Sequence, residues 1–360
     1  MVQRKIYLDN SASTPILPEV KQKVIETMEI YGNPSSLHSE GEAAHEQLVE
    51  AKRIISEKLF CDMSEIYFTS GATMSNSLFI QGFMRANPDT KLVISATEHN
   101  DIIELADYFG CYKVPVNHDG ELQYEFLDNL LSELCGNVLC SIQLANGETG
   151  VINSISKISS IISKHKNVFW HSDVTQYIPF YGLPVHSMDA ISMSGQKIGC
   201  IKGTGLLYVK NSVPIKPVIF GEQGFIGGTE NVHGIAALGE AFKCLDYSKR
   251  MTCELRDYMI SKVKGDLVGG TEFRLPNNVY MHFDWIDGES LVVLLNEFGI
   301  CASSGSACSS GNAKGSHVVK AMGYSDEYSK HCVRFTLSNN TTREDVDYVA
   351  DVIEKISRGF

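Results

Sequence analysis

At 360 residues the chain is longer than one small core can organise, so two lobes are expected. Charged residues make up 21% and hydrophobic ones 43%, the balance of an ordinary globular protein, and the net charge of -12 argues against nucleic acid as a partner. No apolar window approaches the ~18 residues of a membrane span and no apolar signal core opens the chain. A cytoplasmic location is therefore expected, and the ten cysteines, scattered without a Cys-x-x-Cys pair or zinc spacing, suggest neither a disulfide framework nor a metal site.

Ile6-Tyr7-Leu8 predicts a short strand, broken by the polar run from Asp9 to Pro15. Pro18 opens a helix with Val20, Val24, Ile25 and Met28 at helical spacing. A longer helix follows over residues 39–59, with Ala43, Ala44, Leu48, Ala51, Ile55 and Leu59 on one face. Residues 66–69 read as a strand, and Ser70-Gly71-Ala72-Thr73 turns it into a helix bearing Leu78, Phe79 and Gly82. A helix start after such a turn can hold phosphate on free backbone amides, although a plain strand-to-helix turn has the same pattern. Residues 92–96 form the next strand, with Thr97-Glu98-His99 at its carboxyl end. Open α/β sheets bind ligands there, but a lone histidine can equally be structural.

Strands at 112–114, 137–143 and 168–171, the last running into Ser172-Asp173, alternate with helices near 125–134 and 155–164. Alternation from residue 66 to 210 implies a mainly parallel sheet with helices on both faces. The strand Asp189 to Ser194 opens into Gly195-Gln196-Lys197 and a glycine-rich run, then a strand at 205–209. A lysine held at such a strand end can lose its charge by desolvation, and the neutral amine can form a Schiff base with a carbonyl. Taken alone, Lys197 is one of many lysines. Helices at 232–248 and 251–264 precede a less regular lobe with strands at 279–283 and 332–337 and helices at 288–298 and 343–356. The expected division is a large cofactor-binding domain over 16–250 and a small one made of 1–15 and 251–360.

Ala72-Thr73, His99, Asp173, Gln176 and Lys197 thus gather at strand ends and a helix start. A Schiff-base lysine, a carboxylate for a pyridinium nitrogen and a helix N-terminus for a phosphate suit pyridoxal 5'-phosphate. A longer series of motifs runs nearly end to end. It comprises Tyr7-Leu8-Asp9-Asn10-Ser11-Ala12, Gly32-Asn33-Pro34-Ser35-Ser36, Phe68-Thr69-Ser70-Gly71-Ala72-Thr73, Thr97-Glu98-His99, Asp173-Val174-Thr175-Gln176 and Ser194-Gly195-Gln196-Lys197. It continues with Gly228-Thr229-Glu230-Asn231-Val232, Ser303-Ser304-Gly305-Ser306-Ala307-Cys308 and Val333-Arg334-Phe335-Thr336-Leu337. In this series the chain resembles the cysteine desulfurases of the NifS/IscS type, in the class V aminotransferase superfamily.

The resemblance implies the α/β pyridoxal phosphate-dependent transferase fold of type I, with a large, mainly parallel sheet flanked by helices and a smaller α+β domain, as a homodimer. It implies that Lys197 carries the cofactor, His99 stacks on its ring and moves protons, Asp173 pairs with the pyridinium nitrogen and Gln176 binds the phenolic oxygen. Ala72, Thr73, Ser194 and Gln196 would hold the phosphate, with Thr229 reaching in from the partner subunit. Arg334 and Asn146 would serve the substrate, the planar guanidinium taking its carboxylate. Cys308 would take sulfur from L-cysteine as a persulfide, leaving L-alanine, for a sulfur-acceptor protein in iron–sulfur cluster assembly or thiolation. Its surroundings, Ser303 to Gly315, are small and polar, unlike those of a core cysteine, although an incidental loop cysteine has the same setting.

Departures from the family pattern are also legible. Gln196 stands where histidine is usual, Gly147 replaces an asparagine expected to hold cofactor and substrate, and the segment from Phe220 to Gly228 is short and lacks an arginine. The chain stops at Phe360, where longer relatives continue into a tail that docks a scaffold. A selenocysteine lyase, another C–S lyase of the superfamily or a sulfur-relay partner of low turnover remain as alternative readings.

Overall fold

The computed structural model describes residues 5–221, 225–249, 253–305 and 315–359. Its strands are β1 (Ile6–Tyr7), β2 (Ile66–Thr69), β3 (Lys91–Ser95), β4 (Cys111–Val114), β5 (Val138–Ser141), β6 (Val168–Asp173), β7 (Ala190–Ser194), β8 (Gly205–Val209), β9 (Asp266–Leu267), β10 (Asn278–His282), β11 (Ile300–Cys301) and β12 (Cys332–Thr336).

Seven of them form one sheet in the order β2-β8-β7-β6-β5-β3-β4. From β7 across to β4 every pairing is parallel, as the strand–helix alternation predicts. β8 instead runs antiparallel to both β7 and β2. The reason is the connection: residues 195–204 make a tight turn, too short for the helical crossover that a parallel return needs. β5, β7 and β8 are buried at every position, so they read as continuous apolar runs. Alternate residues feed two cores. Ile191 and Leu206 join Trp170 and Phe242 on one face, while Ala190 and Leu207 join Phe79 and Phe83 on the other.

β10 lies between β9 and β12 in an antiparallel sheet of three. Helices Glu254–Lys262, Gly288–Glu297 and Arg343–Ser357 pack on it around Phe283, Val333, Phe335 and Val349. β1 pairs in parallel with β11, which puts Ile6 and Leu8 into this core. From there the chain crosses to the large sheet, where Thr14 N donates to Gln196 O at 2.9 Å and Leu17 N to Gly199 O at 3.0 Å. Residues 6–17 are a strap between the cores.

Some elements differ from expectation. Helix Pro18–Thr27 forms, but Ile25 is 53% exposed and Met28 is 66% exposed, so only part of the expected apolar face is covered. Helix Val232–Lys243 ends before residue 248, because the Asp246 carboxylate captures the Ser248 amide in a local turn that competes with the helix. Among the described residues, no helix is long and apolar enough to cross a membrane.

Candidate active site

Lys197 ends the single 3-10 turn that follows β7. Gly195 opens that turn, and a Cβ there would lie 2.4 Å from Thr204 Oγ1, so only glycine lets the chain fold back. The Lys197 ammonium donates to Ser11 O and Ala12 O, each at 2.6 Å. Gln176, in the loop after β6, donates to the same Ser11 O at 3.0 Å. The strap thereby aims the amine, beside a cavity of about 540 Å³ also lined by Asn10, Gln176 and Asn277. Gln196 is half-buried, and its carbonyl accepts from Thr14 Oγ1 at 2.8 Å.

Asp173 ends β6, and burial pushes its carboxyl above the usual range, with the nearby Asp101 adding to the effect. Two donors offset this: Thr175 N at 2.9 Å and Asn76 Nδ2 at 3.1 Å. The same Asn76 nitrogen reaches Asp101 Oδ2 at 3.2 Å. Asp101 Oδ1 in turn meets His99 Nδ1 at 2.8 Å. Burial works against the charge on Asp101, but hydrogen bonds from His99, Thr73 and Asn76 outweigh it and hold the carboxyl below its ordinary value. His99 itself caps helix Asn100–Phe109 just beyond β3, with 51% of its side chain exposed.

The turn into helix Ala72–Ala86 makes a cradle. Gly71 sits at φ +156°, and a Cβ added there would lie 3.3 Å from Ser194 Oγ. Ala72 N donates to Ser194 Oγ at 2.8 Å, and Thr73 is exposed beside it. Small residues, a hydroxyl and the positive end of a 15-residue helix are the features that can hold an anion. Thr229 is exposed on a cleft of about 860 Å³ whose walls include Ser70, Gly203 and Glu230.

Arg334 lies in β12, which the strap brings against the large lobe. Its guanidinium donates from Nη1 to Gly147 O and from Nη2 to Asp9 Oδ1, each at 2.9 Å, while its buried Nε has no partner. Asn146 is committed otherwise: Nδ2 donates to Thr97 O at 3.0 Å, and Oδ1 accepts from Glu148 N and Thr149 N at 2.9 Å. It shapes the turn. Gly147 is not among the glycines of positive φ, and a Cβ there would come within 3.2 Å of Gln176 Nε2. Beyond it, Glu148 Oε2 accepts from Ser316 Oγ at 2.5 Å, and His317 Nε2 meets Glu98 O at 2.8 Å.

Lys197, Asp173, Gln176, His99, Ala72, Thr73, Ser194 and Arg334 therefore belong to one neighbourhood, and Cys308 lies outside the described residues. Burial pushes Cys200 up to about 11 and Cys332 up to about 12, so neither offers a thiolate at neutral pH. Sequence reasoning missed Asn76, Asp101 and Glu148. Only Asp101 left a local sign, a carboxylate two positions after a strand-end histidine in the first turn of a helix.

The aminotransferase class-V family matches residues 6–349. The cysteine desulfurase IscS of Methanosarcina thermophila is 35% identical over 374 residues, covering 98% of this chain and 92% of that protein. A NifS-like protein from Rickettsia africae superposes with a TM-score of 0.89 at 30% identity, over 99% of this chain and 100% of that one. A structure described as SspA in complex with cysteine superposes with a TM-score of 0.80 at 26% identity, over 92% and 99% of the respective chains.

Proposed function

The chain belongs to the aminotransferase class-V family and is a cysteine desulfurase of the NifS/IscS type, and on that premise we propose how its residues divide the work. The observation that carries the reading is the cluster of Lys197, Asp173, His99 and Arg334 around an anion cradle at the carboxyl ends of the sheet. That donor set fits pyridoxal 5'-phosphate. Ala72 N, Thr73 and Ser194 Oγ suit its phosphate, buried Asp173 its ring nitrogen, Gln176 its phenolic oxygen, and Lys197 Nζ its carbonyl carbon. Thr229, on its separate exposed cleft, would complete the phosphate site of a second copy in a homodimer.

When bound, the cofactor supplies an electron sink for the substrate α-carbon. Lys197 would hold the group, and its amine is aimed by the Ser11 and Ala12 carbonyls. Arg334 binds the carboxylate of L-cysteine, its fork pre-set by Asp9 and Gly147 O, with Nε left for the ligand. His99 would stack on the ring and move protons. The Cys308 thiolate attacks the substrate sulfur; the Cβ–S bond breaks with its electron pair left on carbon, which takes up a proton to give L-alanine. The sulfur stays on Cys308 as a persulfide, and a protein thiol then removes it by exchange.

Cys308→Ser tests this. The variant keeps the cofactor absorbance and its change on adding L-cysteine, but makes no alanine and shows no persulfide by mass spectrometry. Alanine and sulfur at the wild-type rate would overturn the assignment.

A further inference from the structure

We propose that Asp101 is a positioning residue that fixes the tautomer of His99, so that the imidazole takes up and releases its proton at Nε2. The inference rests on the proton-carrying role given to His99 above. Asp101 Oδ1 lies 2.8 Å from His99 Nδ1. A carboxylate only accepts, so the ring nitrogen facing it must carry hydrogen; two opposed lone pairs at that distance would repel. The neutral ring therefore keeps its proton on Nδ1 and its lone pair on Nε2. The imidazolium keeps the same Nδ1 bond, so a proton can be taken from the bound amino acid at Nε2 and returned to the product without the ring turning.

For this the carboxylate must be charged and immobile. Asp101 is held on Oδ1 by Ile102 N at 2.7 Å and on Oδ2 by Asn76 Nδ2 at 3.2 Å, and it sits in the first turn of helix Asn100–Phe109. Helix dipole and donors both favour the anion there. Asn76 uses its other amide hydrogen on Asp173 Oδ2 at 3.1 Å. One side chain thus sets the spacing between the carboxylate for the ring nitrogen and the carboxylate behind the stacking histidine. Two other titratable groups act on the imidazole: Glu98 from the end of β3 and Glu148 from the turn after β5, both pushed toward the neutral form by burial. The carboxylate placed on Nδ1 is that of Asp101, and that bond sets the tautomer.

The test uses the holoenzyme. Nitrogen-15 NMR of histidine-labelled protein, with His99 assigned by its loss in His99→Ala, should show a pyrrole-type Nδ1 and a pyridine-type Nε2 when His99 is neutral. Asp101→Asn, whose amide can donate to Nδ1, should shift the ring toward the opposite tautomer. Its kcat should fall roughly 10- to 100-fold, in the range of a lost acid–base group, with KM for L-cysteine within about twofold and cofactor absorbance retained. The acidic limb of its kcat–pH profile should move, and Asp101→Glu should recover part of the rate. A wild-type ring protonated on Nε2, or an Asp101→Asn variant with wild-type kcat and pH profile, overturns the proposal while Cys308 persulfide formation stands. Full turnover by His99→Ala removes the role that Asp101 is said to position and overturns it as well.

Discussion

Position 147 shows how one residue's effect depends on its neighbours. Read as a lost contact, Gly147 suggests that Gly147→Asn would tighten substrate binding. The structure offers a ground for the opposite sign, because a Cβ there meets Gln176 Nε2 at 3.2 Å, and that amide already holds Ser11 O at 3.0 Å. The backbone itself tolerates a side chain, since Gly147 is outside the positive-φ set. Gly147→Asn should therefore fold normally but displace Gln176, weakening cofactor binding by about 1 kcal/mol, one ordinary hydrogen bond, or roughly fivefold in the dissociation constant. Titration of the variant with pyridoxal phosphate measures this; tighter binding than wild type would show that the asparagine makes a new contact instead.

Among the elements, the last helix has a start set by its own residues. Thr342 Oγ1 accepts from Asp345 N at 3.1 Å, and Asp345 Oδ2 accepts from Thr342 N at 2.9 Å, a reciprocal cap. The helix then buries Val346, Val349, Val352, Ile353 and Ile356 in the core of the small sheet. Thr342→Ala should destabilise that core by about 1 kcal/mol. Trp285 packs against the same core, so its emission during urea unfolding should report a lower midpoint with an unchanged slope. An unchanged midpoint would mean that the buried face alone sets the helix start. The extent of this element was legible because its period lies within one stretch of chain, although its cap was not read. The antiparallel course of β8 was not, since it depends on a turn length judged against a sheet not yet assembled.

Across the whole molecule, acid stability should depend on His171 in the middle of the large sheet. Its ring sits between Ser141 Oγ at 2.8 Å and Ser192 Oγ at 2.9 Å and stacks on Phe79, tying β5, β6 and β7 together. Burial drops its pKa from 6.5 to about 3. The unfolded chain thus binds this proton first as pH falls, so the stability it contributes is intact above pH 6.5 and declines toward pH 3. The slope approaches about 1.4 kcal/mol per pH unit for a fully shifted group. Buried Glu98 and Asp173, both raised, act in the opposite sense, so the contribution is isolated by difference. His171→Gln should be less stable at neutral pH yet lose less on acidification, as followed by the thermal midpoint. Parallel acid profiles for the two proteins would exclude His171 as the titrating group.

Taken by itself, the sequence determined what lies within a few residues of chain: the strand–helix alternation, the small-residue turns at 70–73 and 194–197, and the placing of His99, Asp173 and Lys197 at strand ends. Those follow from side-chain periodicity and turn chemistry, which are local. Tertiary structure decided what each of these residues faces. Asp9 meets Arg334 across 325 positions because β1 joins β11 and the Asp9 backbone bridges Thr336. Asn76 meets Asp173 across 97 positions because a helix face and a strand end converge. Such partnerships are set by the register of whole sheets and the docking of one core on the other, and no period in the chain encodes them.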